Sequence, residues 1–89
     1  MKHAGSAALD ELEPLLQRIR SIAGLKERTR GSFYRRSASF LHFHEDPAGL
    51  FADLKVGADF ERFRVSTRAE RRQLLACIAK LCADTDTQR

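Results

Sequence analysis

The chain has no tryptophan, one tyrosine, one methionine, two prolines and two cysteines among 89 residues. The cysteines, Cys77 and Cys82, stand five apart in a segment with helical periodicity. That spacing turns them about 140° from each other, so they cannot bridge, and no C-x-x-C spacing marks a zinc knuckle. A disulfide framework is excluded, and two reduced thiols fit a reducing compartment. No apolar run approaches the roughly 20 residues of a membrane-spanning helix. The first eight residues lack an apolar h-region, and Asp10, Glu11 and Glu13 follow at once, so no signal peptide is expected. A cytoplasmic location, with no membrane partner, is the expectation. Also missing are G-x-S-x-G, a P-loop and G-x-G-x-x-G, and with them the common signatures of hydrolases and nucleotide enzymes. The expectation is a protein without catalytic residues.

What is present suffices for one core. Hydrophobic residues make up 43% of the chain and six are Phe. A chain of this length buries roughly 60–65% of its unfolded surface. The formal net charge is +4, and 12 of the 16 basic residues are Arg. That balance permits contact with phosphates or acidic proteins.

Period decides the elements. Leu9, Leu12, Leu16 and Ile19 recur at helical spacing, with Leu15 and Ile22 beside them, so a first helix is expected after a loose segment 1–8. Pro14 blurs its start, and Gly24 follows its end. Residues 25–31 read as a polar connection. The period then changes to two. Strands are expected at 32–37, 39–44, 50–56 and 60–65, with turns at Ala38-Ser39, Asp46-Pro47-Ala48-Gly49 and Gly57-Ala58-Asp59. Thr67 with Glu70 three residues later is a capping box for a last helix, whose apolar stripe is Leu74, Leu75, Ile78 and Leu81. Residues 84–89 should fray.

The expected fold is therefore α+β. A single domain at 9–83 has an N-terminal helix, a four-stranded antiparallel meander and a C-terminal helix, with both helices on one sheet face. Phe33, Leu41, Phe43, Leu50, Ala52, Leu54, Phe63 and Val65 are assigned to that face.

The opposite face is the candidate site. Alternation assigns to it Tyr34, Arg36, Phe40, His42, His44, Phe51, Asp53, Lys55, Phe60, Arg62 and Arg64. Solvated antiparallel faces carry polar side chains, and four rings on one face point to a ligand or partner surface, a second copy of the chain first. His42 and His44 form an H-x-H on a strand, which places two imidazoles about 6–7 Å apart on one side. With Asp53 on the adjacent strand as third donor, they are candidate ligands for zinc, nickel or iron(II). Nucleic acid is the other alternative. Its candidate contacts are Arg28, Arg30, Arg35, Arg36, Arg62 and Arg64, with Arg68, Arg71 and Arg72 opening the last helix against its macrodipole; rings among arginines on a sheet stack bases.

The stretch Phe40 to Lys55, FLHFHEDPAGLFADLK, resembles a segment of a family of short uncharacterised bacterial proteins, similar over residues 10–82. No activity is assigned to that family. A looser likeness is to the small α+β MmcQ/YjbR-like proteins, some of which are predicted to bind DNA. The resemblance implies the α+β fold and lends the nucleic-acid alternative support, without any matched functional residue.

Overall fold

A computed structural model describes the backbone of residues 1–87 and the side chains of residues 1–83. The chain runs β1 (Lys2–His3), α1 (Ser6–Arg20), β2 (Lys26–Thr29), β3 (Ser32–Arg35), β4 (Ala38–Asp46), β5 (Gly49–Val56), β6 (Asp59–Arg64) and α2 (Arg68–Thr87). The architecture is α+β. The sheet has six strands where four were expected. β2 to β6 form an antiparallel meander in sequence order, and β1 pairs antiparallel with β4.

Apolar periodicity builds the core. Leu12, Leu15, Leu16 and Ile19 fall on one stripe of α1 and are buried. Leu74, Ile78 and Cys82 do the same for α2. Both stripes join Phe33, Leu41, Phe43, Ala52, Leu54 and Val65 in one cluster. The two helices thus cover the same row of the sheet, and the row with the opposite parity is left without a helix. No helix among the described residues is long and apolar enough to cross a membrane.

The helix ends are tied locally. The capping box of α2 forms as expected: Glu70 N–H donates to Thr67 Oγ1 at 3.2 Å, and Glu70 Oε1 accepts from Thr67 N–H at 2.9 Å and Ser66 N–H at 3.0 Å. The first helix starts three residues earlier than expected, at Ser6, so Pro14 lies inside it. Gly5 caps it without a side-chain acceptor, but Gly5 N–H donates to Glu45 Oε2 of β4 at 2.6 Å. This long-range bond pins the start of α1 to the sheet. Residues 84–87 continue α2, and residues 88–89 of the expected frayed tail lie outside the described residues.

Three other expectations are corrected. The polar segment at 25–31 is not only a connection: Lys26–Thr29 is an edge strand on β3. Residues 1–8 are not loose throughout, because Lys2 and His3 pair with Glu45 and His44. The turn between β3 and β4 is at Arg36-Ser37, not Ala38-Ser39. Both residues have positive φ, 54° and 69°, between the paired Arg35 and Ala38. That is the geometry of a two-residue type I′ loop, built here without the usual Asn or Gly.

Candidate metal centre

The β4 strand switches parity part-way along, and that decides what reaches the uncovered face. Phe33 pairs with Leu41 while Tyr34 pairs with Ser39, so Phe40 is one residue extra on β4. This bulge turns Phe40 inward beside Leu41. Phe40 is only 4% exposed and belongs to the core cluster, with the Arg35 guanidinium over its ring. Its expected place on the histidine face is therefore corrected. Arg36 is likewise removed from that face, because it occupies the β3–β4 turn.

Beyond the bulge, alternation is regular and the expected residues share the uncovered face. Register sets them in columns. His42 pairs with Asp53, and Asp53 with Arg62; His44 pairs with Phe51, and Phe51 with Arg64; Lys55 pairs with Phe60. Tyr34 stands apart near the β2 edge, with Arg28 4.7 Å over its ring. Of the four rings expected together, Phe40 is core and Tyr34 is covered by a cation, which leaves Phe51 half-buried and Phe60 44% exposed.

The structure adds a third histidine. β1 lies against β4 with His3 opposite His44. A backbone bond from Ala4 N–H to the Phe43 carbonyl, at 3.1 Å, extends this contact. The His3 and His44 rings stack at 4.8 Å, the His42 and His44 rings meet edge-on at 5.0 Å, and His42 also touches the Phe60 ring at 5.2 Å. One nitrogen from each of His3, His42 and His44 lies within 4.8 Å of the other two. The shortest approach is 3.0 Å, between His42 Nδ1 and His44 Nε2. Nitrogens bound to one tetrahedral zinc stand about 3.3 Å apart, given bond lengths of about 2.0–2.1 Å. His42 and His44 are already at that spacing. The exposed His3 supplies the third nitrogen, within 4.8 Å of both.

Asp53 organises the cluster from one side. Its Oδ2 is 3.2 Å from His44 Nε2, and Arg62 grips both its oxygens, through Nε at 2.8 Å and Nη2 at 2.9 Å. This bidentate pair holds the Asp53 carboxyl below the usual carboxylate range. An ionised carboxylate only accepts, so in the metal-free protein a proton on His44 Nε2 faces Asp53 and the His42 Nδ1 lone pair, and a metal at that nitrogen would take the proton's place. Burial, and then the neighbouring His44, push the His42 imidazole below its ordinary value. It is neutral at physiological pH, the form that binds metal. Asp53 was expected as the third ligand. With both oxygens committed to Arg62, it stands beside a donor set of three imidazoles.

Why sequence reasoning missed His3 is plain. It sits in a two-residue strand, too short for periodicity, and meets its partners across 39 and 41 residues of chain. The only signal was a third histidine in a chain with three. No family model, no curated protein and no solved structure matches this chain.

Proposed function

We propose that the chain is a non-catalytic α+β binding module whose ligand is a divalent transition-metal ion held by His3, His42 and His44. The observation that carries this reading is the convergence of three imidazole nitrogens within 4.8 Å on an uncovered sheet face. Three imidazoles suit zinc, copper(II) or nickel(II), and leave a fourth position open. Asp53 lends negative charge next to the ion, and Arg62 fixes its orientation, the outer-shell arrangement that tunes many histidine sites. Two donors come from one rigid strand. The third arrives on a separate strand held by few bonds, so the site exchanges its ion more readily than a closed structural centre.

The groups around the cluster are imidazoles, a carboxylate held by Arg62 and the Phe60 ring, and the binding reading rests on them. Pairing of two copies, the other reading of this face, is left with Phe51 and Phe60, since Phe40 lies in the core.

The test is equilibrium dialysis against zinc with metal analysis. One zinc per chain is expected, and none for the double variant His42→Ala/His44→Ala, with helix content unchanged. Equal zinc in both proteins would end the metal reading.

A further inference from the structure

The arginines divide sharply by partner. Arg20 pairs with Glu13 and Glu27, Arg30 with Asp10 and Glu13, Arg62 with Asp53, and Arg64 with Glu70. Arg28 lies over Tyr34, and Arg35 donates to the Leu81 carbonyl. Among the described residues, Arg18, Arg36, Arg68 and Arg72 have no such partner. Arg36 is alone in its turn. The other three line one cleft between α1 and the first turns of α2, together with Arg71. Pro14, Leu15 and Leu75 give this cleft an apolar lining.

The placement opposes ordinary surface electrostatics. Arg68 opens α2, where the backbone dipole already carries positive charge and disfavours a cation, and Arg72 follows one turn on. Arg18 is brought to them from the last turn of α1. Arg71 is the one member that is held, by donation to the Val65 carbonyl at 2.8 Å and by Glu11 at 3.2 Å. Among the described residues, Glu11 is the single carboxylate paired to any of the four, and its side chain is 61% exposed.

We propose that this cleft is an anion site for a compact polyphosphate group, such as the di- or triphosphate end of a small molecule. Three unpaired guanidinium groups supply multiple planar donors, which match phosphate oxygens in pairs. Arg71, fixed to the backbone of Val65, sets the geometry of the back wall. The apolar lining favours a ligand with a non-phosphate portion lying over Leu15 and Leu75. A long nucleic-acid backbone would need basic contacts continuing beyond the cleft. The adjacent face of α1 instead carries Glu13, already bound to Arg20 and Arg30.

The experiment is calorimetric titration of the full chain with inorganic tripolyphosphate at low salt, repeated with a single-stranded oligothymidylate. The expected result is saturable 1:1 binding of tripolyphosphate, weakened about tenfold or more by Arg68→Ala, by Arg72→Ala and by Arg18→Ala, and unchanged by Arg36→Ala, which removes an equal charge elsewhere. Losing those cleft side chains leaves the buried stripes of both helices intact, and circular dichroism checks this. Absence of saturable binding, or equal weakening by Arg36→Ala, would overturn the site. Oligothymidylate binding tighter than tripolyphosphate and lost in the same variants would also overturn it, in favour of a nucleic-acid surface. Zinc does not enter this test, so its outcome is independent of the histidine site.

Discussion

The two faces of the sheet obey different rules, although they are made from alternate residues of the same strands. On the covered face, Phe33, Leu41, Ala52 and Leu54 are 0–1% exposed, and burial of apolar surface decides their positions. On the uncovered face, His42, His44, Asp53 and Arg62 are placed by what they bond to: imidazole to imidazole, imidazole to carboxylate, carboxylate to guanidinium. The first face specifies the fold. The second has more polar organisation than solubility requires, and its organisation converges on one point. The comparison teaches that parity along β4 separates the core row from the polar row, and that the bulge at Phe40 marks the boundary.

The strongest way to break this comparison is to truncate one ring on each side of the boundary. Phe40→Ala should cost about 3–5 kcal/mol, and Leu41→Ala about 2–5 kcal/mol, as buried large-to-small changes do. Phe60→Ala, at an exposed site, should stay within about 0.5 kcal/mol. Urea unfolding of the three variants measures all of this. Equal losses for Phe40 and Phe60 would remove the distinction between the faces.

A smaller effect is expected from the carboxylate. Asp53→Asn should lower zinc affinity by about 10–100-fold while the fold persists, since an outer-shell partner orients a ligand without being one. Competition with a chromogenic chelator reads the change. The turn at Arg36-Ser37 belongs to neither face and sharpens the comparison from outside. Left-handed backbone costs a non-glycine residue about 1–2 kcal/mol, so Ser37→Gly should raise stability by about 1 kcal/mol without touching metal binding.

The smallest effect is a pH dependence that the faces do not share. Arg20 and Arg30 hold the Glu13 carboxyl down to about 2 from an ordinary 4.5, and Arg20 holds Glu27 low as well. Groups with depressed folded values stabilise fully above pH 4.5 and lose that contribution as pH falls toward about 2, because the unfolded chain then takes up protons that the folded one refuses. Acid titration of metal-free protein should show stability falling over that window, and Glu27→Gln should flatten the slope.

Much of the fold was legible because apolar spacing is a strong signal. Leu12, Leu16 and Ile19 marked one helix and Leu74 and Ile78 the other, and the row from Leu50 to Val56 marked β5. The turn at Pro47-Ala48 was legible from residues suited to it, whereas the turn at Arg36-Ser37 was not, since neither residue favours positive φ. The edge strand at Lys26–Thr29 was hidden by its charges, which suit an edge and imitate a loop. For the candidate site, alternation brought His42, His44 and Asp53 together correctly, and the same rule misplaced Phe40 because a bulge breaks parity without a sequence mark. His3 was out of reach, since its place depends on tertiary pairing between residues 3 and 44.

The central claim is that three histidines from two distant segments act as one metal site. His3→Ala tests it most directly, because His3 is exposed, lies outside the core, and was brought to the site by tertiary structure alone. Zinc affinity by chelator competition should fall about 100-fold or more, with unfolding by urea unchanged. Wild-type affinity in His3→Ala would contradict the account, leaving His42 and His44 as a pair packed beside Asp53.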